Sequence, residues 1–123
     1  MKRALILGMA LLGMSTSISL AQSGQPTYLA DPSVYNVILE NQNFRVISAT
    51  WPPDGTDKPH THPLPSVVYF LTDCTQKLRA ADGTERDVNS KAGTSNTVPI
   101  ITEPHTAHNV GSAACRAVFV ERK

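Results

Sequence analysis

Chemistry in this chain can begin at its histidines. Four occur in 123 residues, and they fall into two clusters. His60 and His62 lie in Lys58-Pro59-His60-Thr61-His62-Pro63, and His105 and His108 follow Glu103-Pro104. In an extended strand residues i and i+2 point to the same face. His60 and His62 can therefore aim two imidazoles at one point, and imidazole is a ligand for Zn, Cu, Fe and Ni. Two solvated loop histidines between prolines would read the same way, so a site needs a third donor. In the second cluster His105, Ala107 and Asn109 share one parity and His108 takes the other. A regular strand would place His60, His62 and His105 inward, with His108 outside or at the rim. A bulge near Pro104 would reset the phase and bring His108 in instead.

Short strands are the elements available to position these rings. Tyr35 to Glu40 and Phe44 to Trp51 read as strands around the turn signal Asn41-Gln42-Asn43. Pro52-Pro53-Asp54-Gly55 ends the second. Thr56 to His62 reads as a short strand, confined by Pro63 and Pro65 to an edge or a strand end. Ser66 to Thr72 is almost continuously apolar, as in a strand covered on both faces or lying in a sandwich core. Thr75 to Ala80 alternates, and Asp82-Gly83 is a hairpin signal leading into Thr84 to Val88. Lys91-Ala92-Gly93 is another turn. Asn96 to Ile101, His105 to Val110 after an interruption at Glu103-Pro104, and Ala114 to Glu121 complete the set. Beyond residue 22 no segment has a 3.6-residue apolar period. Eight or nine short strands joined by turns predict an all-β sandwich or barrel.

The first 21 residues stand apart. Met1-Lys2-Arg3 is basic, Ala4 to Met14 is apolar, and Ser19-Leu20-Ala21 ends in small residues. This is the pattern of a cleaved secretory signal, with cleavage expected after Ala21 and a periplasmic or secreted product. An uncleaved anchor is the alternative, and the apolar run is short for one. Gln22 to Ser33 is polar and holds Gly24, Pro26 and Pro32; it reads as a loose N-terminal arm, part of it packed on a domain spanning residues 34–123. Losing Lys2 and Arg3 leaves 9 basic against 10 acidic residues, a net charge of −1 over 102 residues. With no basic stripe, nothing points to nucleic acid or to a membrane after cleavage.

The two clusters bring a resemblance into view: from about Val34 to the C-terminus the chain resembles a small single-domain cupin. Gly55, His60 and His62, with the apolar run Ser66 to Leu71 after them, match the first cupin motif. Gly93, five residues, Pro99, then His105, three residues and Asn109 match the second. The resemblance implies a jelly-roll barrel or sandwich and a three-histidine site of His60, His62 and His105. Such a neutral set suits a divalent transition metal (Fe, Zn, Mn, Ni or Cu) with open positions for water or a small-molecule substrate. Where the family usually has a glutamate after the second histidine, this chain has Ser66 and Val67. A glycine expected shortly after Pro99 is missing, and Pro99 lies one residue further from His105 than usual. The missing carboxylate weighs against the oxygenase chemistry common among cupins. The jelly-roll order would also set the strand leaving the first motif beside the last strand. That places Cys74, closing one, near Cys115, opening the other, and implies a disulfide across about 40 residues. Two free buried thiols are the alternative. A homodimer paired through sheet edges is a further implication of the family.

Other residues carry weaker signals. Glu103, two residues before His105, stands as a substitute carboxylate or a solvated loop acid. Asp54 and Asp57 fit the turn before His60, and Asp57 could also orient a ligand imidazole. Trp51, Tyr69 and Phe70 suit the core or a pocket wall. Ser66 has no Gly-x-Ser-x-Gly setting, so a serine nucleophile is not supported. Neither cysteine lies in a Cys-x-x-Cys or other reactive setting. Three function classes follow. One is a metal-dependent enzyme, dioxygenase- or isomerase-like, acting on a small organic molecule. The second is a non-catalytic cupin that binds a metal or small ligand. The third is a structural β-domain with a vestigial site.

Overall fold

The computed structural model describes residues 24–123; the expected signal peptide, residues 1–21, lies outside the described residues. A short helix α1 (Thr27–Ala30) precedes nine strands: β1 (Tyr35–Glu40), β2 (Phe44–Trp51), β3 (His60–His62), β4 (Ser66–Phe70), β5 (Cys74–Arg79), β6 (Glu85–Ser90), β7 (Ser95–Val98), β8 (Ile101–Asn109) and β9 (Cys115–Arg122). They form two sheets, in the orders β1-β2-β9-β4-β7 and β3-β8-β5-β6, and neighbours are antiparallel throughout. The expected all-β jelly roll is present as a sandwich of two sheets that do not close into one barrel. Period-2 patterning builds its core. Ile47, Ala49 and Trp51 of β2, Val68 and Phe70 of β4, and Ala117 and Phe119 of β9 turn inward and pack with Ala107 of β8.

The turn chemistry is where the residue types require it. Gly83 (φ +87°) closes the β5–β6 hairpin, with Asp82 Oδ1 accepting from the Thr84 amide at 2.9 Å. Asn41 Oδ1 accepts from the amides of Asn43 and Phe44 between β1 and β2.

One open alternative is decided and three local expectations are corrected. Of the two readings of β4, the sandwich core holds and cover on both faces does not: Val68 and Phe70 are buried in the core while Val67 and Tyr69 are each 46% exposed. Its outer residues join Val120 and Phe44 on a solvent-facing apolar surface. Continuous apolarity conceals which face is covered, because burial depends on what the other layer provides. β3 is three residues long rather than seven, with Thr56 making only an isolated bridge to His108; Pro59 between them can donate no ladder hydrogen bond. β8 runs unbroken through Glu103-Pro104 and starts at Ile101, a residue expected to end the preceding strand. Proline is tolerated there beside a register shift against β3. Finally, Cys74 does not close β4 but opens β5.

The disulfide is formed. Cys74 and Cys115 lie 41 residues apart in sequence with Cα atoms 5.1 Å apart. Because Cys74 belongs to one sheet and Cys115 to the other, the bridge ties the two layers together, and closing a loop of this size contributes roughly 2–4 kcal/mol. A disulfide is compatible with an oxidising, exported environment.

Residues 24–33, within the stretch read as an arm, pack on the domain beside β3. Thr61 donates its amide to Gln25 O at 2.8 Å, and Lys58 donates its amide to Asp31 Oδ2 at 3.0 Å. The Arg45 guanidinium sits 4.6 Å over the Tyr28 ring while pairing with Glu121 at 2.9 Å. The free edge of β3 is thereby covered.

Candidate metal centre

His60 and His62 both project from β3 into the interior, at 1% and 6% exposure. His105 enters from β8, where its Cα pairs with that of His60. The next pair is His62 with Ile101, so β8 spends four residues where β3 spends two. An even number of extra residues restores the side-chain alternation, which is why this irregularity leaves His105 facing inward and His108 outward. The ring centroids are 4.5 Å apart for His60 and His105, 5.0 Å for His62 and His105, and 5.2 Å for His60 and His62. Each ring offers one nitrogen such that all three lie within 4.8 Å of one another.

Hydrogen bonds set the tautomers of two rings. His60 Nδ1 is 2.9 Å from Lys58 O and His105 Nδ1 is 3.3 Å from Glu103 O. A carbonyl oxygen only accepts, so in the neutral form of each ring Nδ1 carries the proton and Nε2 keeps its lone pair. Burial, reinforced by the neighbouring charges of His60 and His105, pushes the pKa of His62 down to about 3. Burial and the His60 charge also lower His105, against the Glu103 carbonyl that favours its protonated form. Two of the three rings are therefore neutral at pH 7, the form that ligates a metal.

Asp57 is the organiser behind His60. Read from sequence chiefly as a turn residue, it is 3% exposed. Oδ2 accepts from the Tyr35 hydroxyl at 2.6 Å and from Trp51 Nε1 at 2.9 Å. Oδ1 accepts from the Ala107 amide at 2.7 Å and lies 3.7 Å from His60 Nδ1. A buried carboxylate with three donors is held rigidly, and its charge faces the protonated side of the His60 ring. Burial first, then the Asp57 charge, raises the Tyr35 phenol well above its ordinary value, so it stays a donor. Asn109 acts in a different way: its Nδ2 donates to the carbonyls of Trp51, Pro52 and Ala113 and fastens the Pro52 turn to the end of β8.

Among the other sequence candidates, His108 faces outward with Nε2 2.7 Å from Asp54 Oδ1. The Glu103 side chain is exposed, and only its carbonyl touches the site. Ser66 is buried on the inward parity of β4, and Val67 faces solvent. Among the described residues the cluster contains no carboxylate ligand. Tyr35 and Gln76 were not singled out from sequence. The alternation that sets Leu78 and Ala80 on one side of β5 also assigns Gln76 to that side, so the signal was there for Gln76; nothing local marks Tyr35.

All three histidines line a cavity of about 530 Å³ between the sheets. Phe70, Leu78, Val88, Val98 and Phe119 supply apolar wall, and Gln76, Glu85, Arg86 and Asn96 supply polar atoms. Phe119 stacks on His62 with centroids 5.9 Å apart.

No protein-family model matches this chain, and no curated protein matches it. Solved structures do. A cupin domain from Bordetella pertussis is similar at 24% identity and a TM-score of 0.67, over 73% of this chain and 92% of that one. An RmlC-like cupin family protein with a double-stranded β-helix fold, from Methanocaldococcus jannaschii, is similar at 14% identity and a TM-score of 0.58, over 89% of this chain and 93% of that one. The fold is the cupin fold. It is shared as well with the polyketide cyclase RemF from Streptomyces resistomycificus, at 17% identity and a TM-score of 0.56, over 94% of this chain and 80% of that one. In this cupin fold, three clustered histidines beside a cavity have the donor chemistry of a metal site.

Proposed function

We propose that this chain is an exported metal-binding cupin in which His60, His62 and His105 hold one divalent transition metal at the wall of a cavity for a small organic molecule. The observation that carries the proposal is the convergence of three buried or half-buried imidazole nitrogens within 4.8 Å. Nitrogens bound to one ion at about 2.0–2.1 Å in tetrahedral geometry sit about 3.4 Å apart, so small ring rotations bring the donors to bonding distance. Fixed Nδ1 protons on His60 and His105 free Nε2 for that purpose. A metal bound there would supply a Lewis acid for an oxygen of the bound molecule.

The chain's own residues do the rest. Asp57 fixes His60, Phe119 supports His62, and the apolar wall excludes water from the bound molecule. Three neutral donors leave a dication with its charge uncompensated, which favours ligand binding or Lewis-acid chemistry over stabilising a higher oxidation state. One protein of this fold is a polyketide cyclase, and the fold itself serves catalysts and binders alike.

The test is the metal content of the protein purified from periplasm without a histidine tag. About one equivalent of Fe, Zn, Mn, Ni or Cu is expected, and its loss in a His60→Ala/His62→Ala variant that still folds. No uptake of any of these metals on loading would sink the proposal. Dioxygen consumption or turnover of candidate substrates then separates an enzyme from a binder.

A further inference from the structure

Five buried side-chain atoms among the described residues have no hydrogen-bond partner: Thr27 Oγ1, Arg45 Nε, Ser66 Oγ, Gln76 Nε2 and Ser90 Oγ. Of their residues only Gln76 lines the cavity. It is 5% exposed and stands on the inward parity of β5 with Leu78, opposite Val88 of β6 and Asn109 of β8. A buried N–H left unpaired is costly, and an acceptor in the cavity would satisfy it.

A second donor lies on the next strand. Arg86 pairs with Leu78 across the β5–β6 ladder, which gives it the inward parity, and it lines the cavity. The other charges nearby are committed: Glu85 is within 4.0 Å of Lys77 and Arg79, and Lys77 also meets Asp87 at 3.3 Å. Among the described residues Arg86 makes no ion pair. Its positive charge reaches His105, where it disfavours protonation.

We infer that the cavity selects a compact, largely apolar molecule carrying one anionic oxygen group, a small aromatic or branched carboxylate, through Gln76 Nε2 and the Arg86 guanidinium. Phe70, Phe119 and Leu78 receive the apolar body. A guanidinium and an amide N–H are both donors, and an acceptor-only group such as a carboxylate satisfies both. The inference deepens the proposed metal function by naming its ligand class, but the two donors belong to the chain and act without the metal.

The probes are benzoate and its neutral isostere benzamide, titrated calorimetrically into metal-free and zinc-loaded protein. Benzoate should bind at least about tenfold more tightly than benzamide, or ~1.4 kcal/mol, in both forms. Arg86→Leu, on the cavity wall but exposed, should abolish that preference. Gln76→Leu should weaken benzoate more than benzamide. Both variants should keep the wild-type zinc stoichiometry. Equal affinity for the two probes, no binding of either at millimolar concentration, or a preference unchanged in both variants would overturn the inference. A preference seen only with zinc and untouched by the variants would also overturn it while leaving the metal proposal standing. Discrimination by protein that takes up no metal would uphold it while the metal proposal falls.

Discussion

Asp57 and His60 face each other inside the sandwich at 3.7 Å, and Asp54 and His108 face each other outside it at 2.7 Å. Distance alone would rank the outer pair first, but burial reverses the order. Asp54 is almost fully solvated, with a side-chain exposure of 93%, so water and salt screen its contact with His108. Asp57 has no water to replace its partners, and three donors converge on its carboxylate. The inner pair positions an imidazole toward the cavity, whereas the outer pair decorates a turn.

Removing each aspartate in turn separates the two pairs most strongly. Asp57→Ala strands the Tyr35 hydroxyl, the Trp51 indole N–H and the Ala107 amide, and should cost about 3–5 kcal/mol. Urea unfolding measures this, and a cost below about 1 kcal/mol would remove Asp57 from its organising role. Tyr35→Phe deletes one donor to the same carboxylate and should cost roughly 1.5–3 kcal/mol.

Two of the clustered histidines make stability depend on pH. The His62 pKa is depressed from 6.5 to about 3, and that of His105 is also lowered. In each case unfolding raises proton affinity, so the stability they contribute is present above about pH 6.5 and is lost as pH falls toward 3. Thermal melts of metal-free protein should show Tm falling across that window, with a shallower fall in His62→Gln. A flat profile in the wild type would contradict the buried, neutral state of His62.

The smallest effect belongs to Asp54→Asn. Asp54 sits at φ 60°, a left-handed conformation that asparagine also adopts, so the substitution isolates the contact with His108. A change within about 0–1 kcal/mol and unaltered metal content are expected, read by the same unfolding and metal measurements.

Much of the fold was legible because the strand period and the turn residues are local. β2 falls on the expected residues, and the Asp82-Gly83 hairpin closes where its left-handed glycine is needed. The grouping of His60, His62 and His105 was legible from parity plus the cupin resemblance. Parity survives the β8 irregularity because the excess over β3 is even. Strand β4 was left between two readings because apolar sequence does not reveal that one sheet face remains open. Asp57 was underread because its three donors come from β1, β2 and β8, elements 22, 6 and 50 residues away.

The inventory and its periods are carried by the sequence: four histidines in two clusters, eight or nine short strands, and a side-chain direction at each strand position. Those follow from backbone geometry, which repeats every two residues whatever surrounds it. Only tertiary structure decided which directions became interior. It placed His105 opposite His60, put Asp57 behind that pair and His108 outside, bridged Cys74 to Cys115 across the layers, and left Gln76 Nε2 unpaired in a cavity. Burial, and with it the weight of each charge and hydrogen bond, is a property of the assembled sheets.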